Sequence, residues 1–497
     1  MKGLSTDRHE GFIIPKDVSR VTETLEKAGF EAYLVGGCVR DLVVGREPKD
    51  WDVATNAKPE QIASLFEKTF YENAFGTVTV VNEESEKPEY QNIEVTPFRL
   101  EAKYTDKRHP DQVTFSQKLE DDLKRRDYTI NALAYSVNKG QLIDLYQGQE
   151  DLKRGVVKAV GSAQERLSED PLRIMRGVRL ATELGFAIDN ETLEGMQKTA
   201  HLLDFIAQER IGEEFKRIIM SPNPMTGLVI LNQVGALKHF LPELTEGIGM
   251  EQNGDHSYDV WEHTLRVLQH SADKNFVLHV RLAALFHDIG KPRTRQWSEE
   301  KKDWTFYGHD VVGAKMTKVI LERLKFPRET VTIVEKLVRN HMFFTDIDKI
   351  TLSAVRRIIQ RVSPEQVWNL MKVRNCDRIG MGRPKESPYR LRKYESMIDE
   401  ALRAPTSVGM LKIKGEDVLR ETGLAPSPKI GYILHALLEE ALDKPELNTP
   451  EYLVSRVTEL AKLPENELKA LGEKGKDKKD EIEAEELKKI RDKHWVK

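Results

Sequence analysis

The stretch YLVGGCVRDLVVGREPKDWDVAT, Tyr33 to Thr55, packs a glycine pair, an Arg-Asp and an Asp-x-Asp into one short span. An apolar run ending in Gly36-Gly37 reads as a strand that stops at a tight turn, where glycine lets the backbone come close to a polyphosphate. Residues two apart on a strand share a side, so Asp50 and Asp52 are expected to project their carboxylates together. Two anions that close repel unless a cation sits between them, and Mg²⁺ with its oxygen ligands is the usual answer. Arg40 stands near enough to meet the phosphates. An isolated Asp-x-Asp fits a surface loop better; the glycine pair, the arginine and the spacing together carry the signal.

Outward from this stretch, the chain to about Tyr146 mixes strand and helix patterns. FGTVTVV and NIEVTPF are β-branched runs, and KPEQIASLFEKTF sets Ile62, Leu65 and Phe66 at helical spacing. A small mixed sheet with helices follows. From about Asp151 strand patterns almost vanish. EDPLRIMRGVRLATELGF, ERIGEEFKRIIM and TPEYLVSRVTELAKL read as amphipathic helices, broken clearly at SPNPMTG. The fold class is therefore α+β, a sheet-bearing head followed by an elongated helical remainder. The end of the chain, PENELKALGEKGKDKKDEIEAEELKKIRDKHWVK, is dense in charge and reads as a solvated helix or a disordered tail.

The 497 residues predict two to four domains. Charge is nearly balanced, 77 Lys+Arg against 81 Asp+Glu, which excludes a histone-like basic protein but leaves room for a local basic groove. Cys38 and Cys376 lie far apart and form no metal-type cluster, so a reducing, cytoplasmic setting is expected. The N-terminus has no apolar leader-like core, and no apolar run of about 18 residues suggests a membrane span.

The Tyr33–Thr55 string resembles the nucleotidyltransferase motif of the DNA polymerase β superfamily, and more closely the head of bacterial class II tRNA nucleotidyltransferases (CCA-adding enzymes) and poly(A) polymerases. That resemblance implies that Asp50 and Asp52 are catalytic and bind Mg²⁺ for a two-metal phosphoryl transfer, with Gly37 and Arg40 at the nucleotide. Glu94, in NIEVTPF, is a third carboxylate that an exposed strand position explains equally well. LKRRDYTINALAY reads alone as a basic helix start over a buried Ile130, Leu133 and Ala134. It is similar to the family's second signature, which places Arg126 on the triphosphate and has Asp127 and Asn131 orient the sugar or the metal site; Arg125 is a weaker match. The polar stretch before it, Arg99 to Leu123, occupies the place of the family's flexible loop, an element that relatives adding only two cytidines have lost.

SEDPLRIMRGVRLA sets Asp170, Arg173, Arg176 and Arg179 at steps of three. On an α-helix neighbours in such a series share a face while the ends do not. Read alone, the pattern is a helix-stabilising ion pair. It also resembles the family's EDxxR motif, which reads the incoming base through Asp170 and Arg173, with Glu169 as a pairing partner and Arg176 and Arg179 toward phosphate or the pocket wall. A carboxylate accepts and an arginine donates, which suits the amino group and ring nitrogen shared by cytosine and adenine. ERIGEEFKRI matches the family's fifth, mainly structural motif and reads as charged helix surface.

A second set lies downstream: His263, His287-Asp288 after an apolar helix, and Asp377. Mixed imidazole and carboxylate ligands suit a divalent transition metal or Mg²⁺. With AALFHDIGKP between them, they resemble the HD superfamily of metal-dependent phosphohydrolases, and His309 and His341 match the extra histidines some members use for a second metal or as supporting residues. GLAPSPKIG, with Lys429 ahead of a helix start, reads equally as a capped turn or a phosphate contact.

The resemblance implies a head at residues 12–146, a helical neck and body at 147–250, an HD domain at 251–385, a helical tRNA-binding segment at 386–464 and a charged tail at 465–497. It implies addition or repair of the 3′-terminal CCA of tRNA from CTP and ATP, with tRNA as partner and no membrane. An A-adding enzyme and a poly(A) polymerase stand as rivals, the latter disfavoured because Tyr71 to Val81 lacks an arginine cluster. A phosphohydrolase acting on RNA or nucleotide phosphates through the HD residues is the reading of a different class.

Overall fold

The head is built on one mixed seven-stranded sheet, with strands β1 (Ala32–Val35), β2 (Asp52–Thr55), β3 (Thr69–Glu72), β4 (Thr77–Val81), β5 (Asn92–Pro97), β6 (Leu133–Ser136) and β7 (Gln141–Asp144). Their spatial order is β3-β4-β5-β2-β1-β6-β7. The β2–β5 pair is parallel and every other pair is antiparallel. The central strands are apolar because both faces are covered: Leu34, Val35, Val53 and Ala54 are all buried. Helix α1 (Lys16–Lys27) buries Val18, Val21 and Leu25 on one face, and α2 (Gly37–Val43) follows β1 at once. The computed structural model describes residues 11–72, 76–85, 87–100, 114–253, 257–343, 350–403 and 408–496. Most of the polar Arg99–Leu123 stretch, residues 101–113, lies outside these.

The body follows with α3 (Ala163–Glu169), α4 (Leu172–Leu184) and α5 (Gln208–Met220). Then come α6 (Val260–Asp273), α7 (Leu278–Phe286), α8 (His309–Arg323), α9 (Arg328–Asn340) and α10 (Val367–Gly380). The strand content after Asp151 is small but present among the described residues: Val156–Val157 pairs in parallel with Ala187–Ile188, and Gln296–Ser298 forms a hairpin with Asp303–Thr305. Segments this short leave no alternating pattern long enough to read. LKRRDYTINALAY differs from the expected helix start. A short helix, Leu119–Lys124, ends there, and a 3₁₀ turn at Thr129–Asn131 leads into β6. Ile130, Leu133 and Ala134 are buried, but by the sheet.

Helix α5 is tied at both ends to the helices that follow. A side chain at Gly212 would place its Cβ 2.1 Å from the Leu324 carbonyl oxygen, so only glycine fits there. At its other end the buried Arg281 of α7 donates to the carbonyls of Ile219 (3.0 Å) and Ser221 (2.8 Å).

The chain divides into two compact units, Met1–His341 with Lys372–Pro384, and Met342–Met371 with Lys385–Lys497. The second has its own core of Ile433, Leu437, Leu453, Val457 and Leu468. It includes α11 (Pro428–Asp443) and α12 (Glu465–Lys493). The charged end of the chain is thus a helix with a packed seam, not one solvated all round: Leu468, Gly472 and Gly475 are buried. At Gly475 a Cβ would stand 2.2 Å from the His435 carbonyl oxygen, so α12 rests directly on the backbone of α11. Its composition hid this because two glycines and one leucine suffice for the contact.

Candidate active site

The turn after β1, the loop before β2, and helices α4 and α5 together line a cleft of about 590 Å³. Of the residues singled out from sequence, Gly37, Arg40, Asp50, Asp52, Asn131, Arg176 and Arg179 line it. β2 begins only at Asp52, where it pairs in register with Glu94; Asp50 sits in the bend before it. The alternation holds nonetheless. Trp51 is buried in the core while Asp50 and Asp52 both reach the cleft. Glu94 neighbours Asp52 in the sheet but is exposed and does not line the cleft.

Burial raises the Asp52 pKa, Arg126 pulls it back, Asp50 pushes it up again, and Arg176 opposes more weakly. An acid in this position resists ionisation unless positive charge is brought to it, and paired oxygens beside an open cleft are donors of the kind Mg²⁺ takes. Gly36 holds the turn at φ +77°, and a Cβ there would stand 3.0 Å from Arg126 Nη1 and 3.7 Å from Asp52 Oδ2. The backbone angle demands glycine, and a side chain would also crowd the Arg126 guanidinium.

Behind the cleft wall a chain of hydrogen bonds joins head to body. Arg40 Nη1 donates to Asn131 Oδ1 (2.8 Å), Asn131 Nδ2 to Asp127 Oδ1 (3.3 Å), and Arg176 Nε to Asp127 Oδ2 (2.8 Å). Against its burial, Arg176 and Arg173 hold the Asp127 carboxyl well below the ordinary range. Asp127 and Arg126 stand behind the lining residues. Arg126 donates to the buried Asp122, which Arg125 also holds.

Asp170 and Arg173 do not line this cleft. Asp170 also departs from the helical series that its spacing predicts. It caps α3 in an extended conformation (φ −134°, ψ 98°), and α4 starts only after Pro171. The cause is local: the ring of Pro171 disfavours helical backbone in the residue before it. Asp170 Oδ1 accepts from Leu172 N (3.1 Å) and Oδ2 from Arg210 Nη2 (3.1 Å). Arg173 Nη1 donates to Glu169 (2.7 Å) and to the Arg166 carbonyl (2.8 Å), and Nη2 to the Arg125 carbonyl (3.1 Å). Glu169 is a pairing partner, as the sequence suggests. Arg179 donates to Glu214 (2.7 Å) and Glu183 (2.9 Å).

Sequence reading missed Arg46, Lys49 and Arg217 on the cleft and Arg210 beside Asp170. The first two stand in the opening stretch as unassigned cations next to a polyphosphate motif, which was a usable signal. Arg210 and Arg217 sit in ERIGEEFKRI, where charged helix surface hides them.

A second constellation forms where α6 to α10 converge. His263 and His287 bring their Nε2 atoms to 3.1 Å. His263 Nε2 lies 3.3 Å from Asp288 and 3.2 Å from Asp377; His287 Nε2 lies 3.2 Å and 3.6 Å from the same two. On the other side of Asp288, His309 and His341 bring their Nε2 atoms to 3.3 Å of each other, with His309 3.4 Å from Asp288 Oδ1. All six ligand candidates are therefore gathered, with Asp288 between two histidine pairs, and all are buried. His287, His309 and His341 each turn Nδ1 to a backbone carbonyl, Ala284, Phe306 and Val338, at 2.7 to 2.8 Å. A carbonyl only accepts, so each Nδ1 carries a proton and Nε2 is the nitrogen that faces inward, where a metal would take it. Lys291 Nζ stands 2.7 Å from Asp288, and Arg374 holds Asp377 at 2.6 Å.

A mixed sheet with paired carboxylates on a cleft, followed by a helical body and a buried His-Asp centre, defines a nucleotidyltransferase head joined to an HD domain. Residues 32–158 match the Poly A polymerase head domain, 185–248 the probable RNA and SrmB-binding site of polymerase A, and 254–386 the HD domain. The chain is 35% identical to the CC-adding tRNA nucleotidyltransferase of Thermus thermophilus over 417 residues, 82% of this chain and 89% of that one. It is 48% identical to the CCA-adding enzyme of Lactococcus lactis over 237 residues, 47% of this chain and 58% of that enzyme. That match and the one to the Lactiplantibacillus plantarum CCA-adding enzyme, which spans 50% of its length, cover between half and three fifths of these relatives. The crystal structure of the Bacillus stearothermophilus CCA-adding enzyme in complex with CTP superposes with a TM-score of 0.59 at 26% identity, covering 90% of this chain and 98% of that one. The chain belongs to the tRNA nucleotidyltransferase family.

Proposed function

We propose that this protein adds or repairs the 3′-terminal CCA of tRNA from CTP and ATP, releasing pyrophosphate, and does so in the cytoplasm. The observation that carries the reading is the cleft itself, where Asp50 and Asp52 meet Arg40, Arg176 and Arg179. Asp50 and Asp52 are the residues that would hold Mg²⁺. When bound, that metal supplies a Lewis acid to the attacking 3′-hydroxyl and to the leaving pyrophosphate. Arg40, Arg126, Arg176 and Arg179 bind phosphate oxygens; Asn131 and Asp127 orient the sugar or the metal site while holding Arg40 and Arg176. Asp170 and Arg173 read the base: an acceptor beside a donor takes the edge shared by cytosine and adenine, and it refuses the carbonyl and N–H of guanine and uracil.

The division into head, neck and body, HD domain, helical tRNA-binding segment and tail, at 12–146, 147–250, 251–385, 386–464 and 465–497, belongs to the same proposal. In the HD domain His263, His287, Asp288 and Asp377 would hold a divalent metal, with His309 and His341 on the far side of Asp288. Among the described residues no helix is long and apolar enough to cross a membrane.

The Thermus thermophilus relative, named a CC-adding enzyme, supports a second reading in which only the two cytidines are added. The polar Arg99–Leu123 stretch, retained in this sequence, favours the full CCA. Extension of a tRNA transcript ending at the discriminator base decides between them, with CTP and ATP supplied separately and together. A single complete CCA is expected. A product that stops at CC with both nucleotides present establishes the second reading, and A added only to a transcript already ending in CC establishes an A-adding enzyme.

A further inference from the structure

Asp170 stands outside both helices that flank it, so neither helix fixes its side chain through a rigid face. One oxygen is held by a turn hydrogen bond from Leu172 N. The other is held from a different element altogether, by Arg210 in the first turn of α5. Both partners are largely shielded, with side chains 27% and 17% exposed. The second arm of Arg210, Nη1, is buried and has no hydrogen-bond partner among the described residues. Arg173, the companion donor, is secured separately by Glu169 and two backbone carbonyls. Asp170 and Arg173 are thus met by different side chains, Arg210 and Glu169, and Arg210 lies 40 residues downstream of Asp170.

We infer that Arg210 is the positioning residue for base choice: by clamping Asp170 it keeps that carboxylate oriented as an acceptor. This rests on the reading of Asp170 and Arg173 as the base-recognising pair. An ionised carboxylate can only accept, so it distinguishes an amino group from a carbonyl. Without Arg210, one Asp170 oxygen loses its hold and the carboxylate is free to rotate. A carboxylate that has turned away no longer rewards the amino group of cytosine over the carbonyl of uracil, and the difference between the two bases shrinks. Arg210 touches no reacting atom, so the effect falls on selection.

The test compares kcat/KM for CTP, ATP, UTP and GTP in wild type, Arg210→Ala, Arg210→Lys, Asp170→Ala and the Asp170→Ala/Arg210→Ala double variant, on one tRNA transcript. Folding is checked by circular dichroism and tRNA affinity by filter binding. In Arg210→Ala the preference for CTP over UTP should fall several-fold, up to about the 10-fold expected of Asp170→Ala, through which Arg210 acts. Arg210→Lys, which keeps the charge, should recover part of it. The double variant should discriminate no worse than Asp170→Ala, because the two residues act as one unit. An equal loss on all four nucleotides in Arg210→Ala, with preference intact while Asp170→Ala relaxes it, overturns the role of Arg210 and leaves Asp170 as the reader. Unchanged discrimination in Asp170→Ala overturns the reading of the base pair, and the Arg210 role with it.

Discussion

The head cleft and the HD centre both assemble carboxylates for a cation, yet they are built in opposite ways. In the head, Asp50 is exposed, Asp52 is half-buried, and the lining arginines and lysine leave an open volume beside them. In the HD domain every ligand candidate is buried, and three histidines are pinned through Nδ1 to backbone carbonyls. A site held open with few fixed ligands suits a metal that arrives with a triphosphate and leaves with pyrophosphate. A closed site with oriented imidazoles suits a resident ion. Burial and orientation, more than ligand identity, separate a substrate's metal from a protein's own.

The largest expected effect breaks the head alone. Asp50→Ala and Asp52→Asn should lower nucleotide addition on the order of 10³-fold or more, with tRNA binding and metal content of the purified protein retained. Loss of bound metal in these variants would show that the resident ion sits in the head, and the contrast drawn above would fall. The reverse variant, Asp288→Ala, should empty the HD centre, read by elemental analysis, and lower stability by about 3–5 kcal/mol because it leaves the buried Lys291 without its counter-charge, with only the Gln252 amide oxygen to accept from it. A variant that keeps both its metal and its melting temperature would remove Asp288 from the bridging position.

Smaller effects sharpen the comparison. Asp170→Ala should relax discrimination against UTP and GTP by about 10-fold while changing tRNA affinity little, since it removes one hydrogen-bond acceptor. Affinity for tRNA should itself fall linearly on a logarithmic salt axis, because phosphate contacts dominate binding; a flat salt response would argue against a phosphate-tracking surface. The smallest effect is in acid. Asp127 is ionised more readily in the fold than its ordinary value of 3.8, so its stabilising contribution is complete above that value. It is lost as pH falls through the lower, folded value. Denaturant titrations stepped down through pH 4 should show wild type losing more stability than Asp127→Asn; parallel curves would contradict the ion pair with Arg176.

Much of this was legible because the chemistry is local in the chain. Gly36-Gly37, Asp50 and Asp52 fall within one short strand-helix-strand unit, β1-α2-β2, so closeness in the chain brings them together. The HD ligands are spread from His263 to Asp377, yet helix ends place them predictably: His287 and His341 close their helices and His309 opens one. What spacing did not reveal depends on partners distant in sequence. Arg210 meets Asp170 only through the packing of α5, and Asp127 meets Arg176 only where body touches head. Pro171 was the one printed clue that Asp170 leaves the helix, and the three-residue rhythm of the arginines masked it.

Helix α5 has two landlords. Near its start it carries Arg210 to Asp170, and two residues later Gly212 sits flush against Leu324; at its far end Arg281 seizes its last carbonyls. The HD region is therefore no detachable passenger. Excising it would leave the Gly212 face of α5 bare and its last carbonyls without the Arg281 guanidinium, so the helix that carries Arg210 would lose its seating.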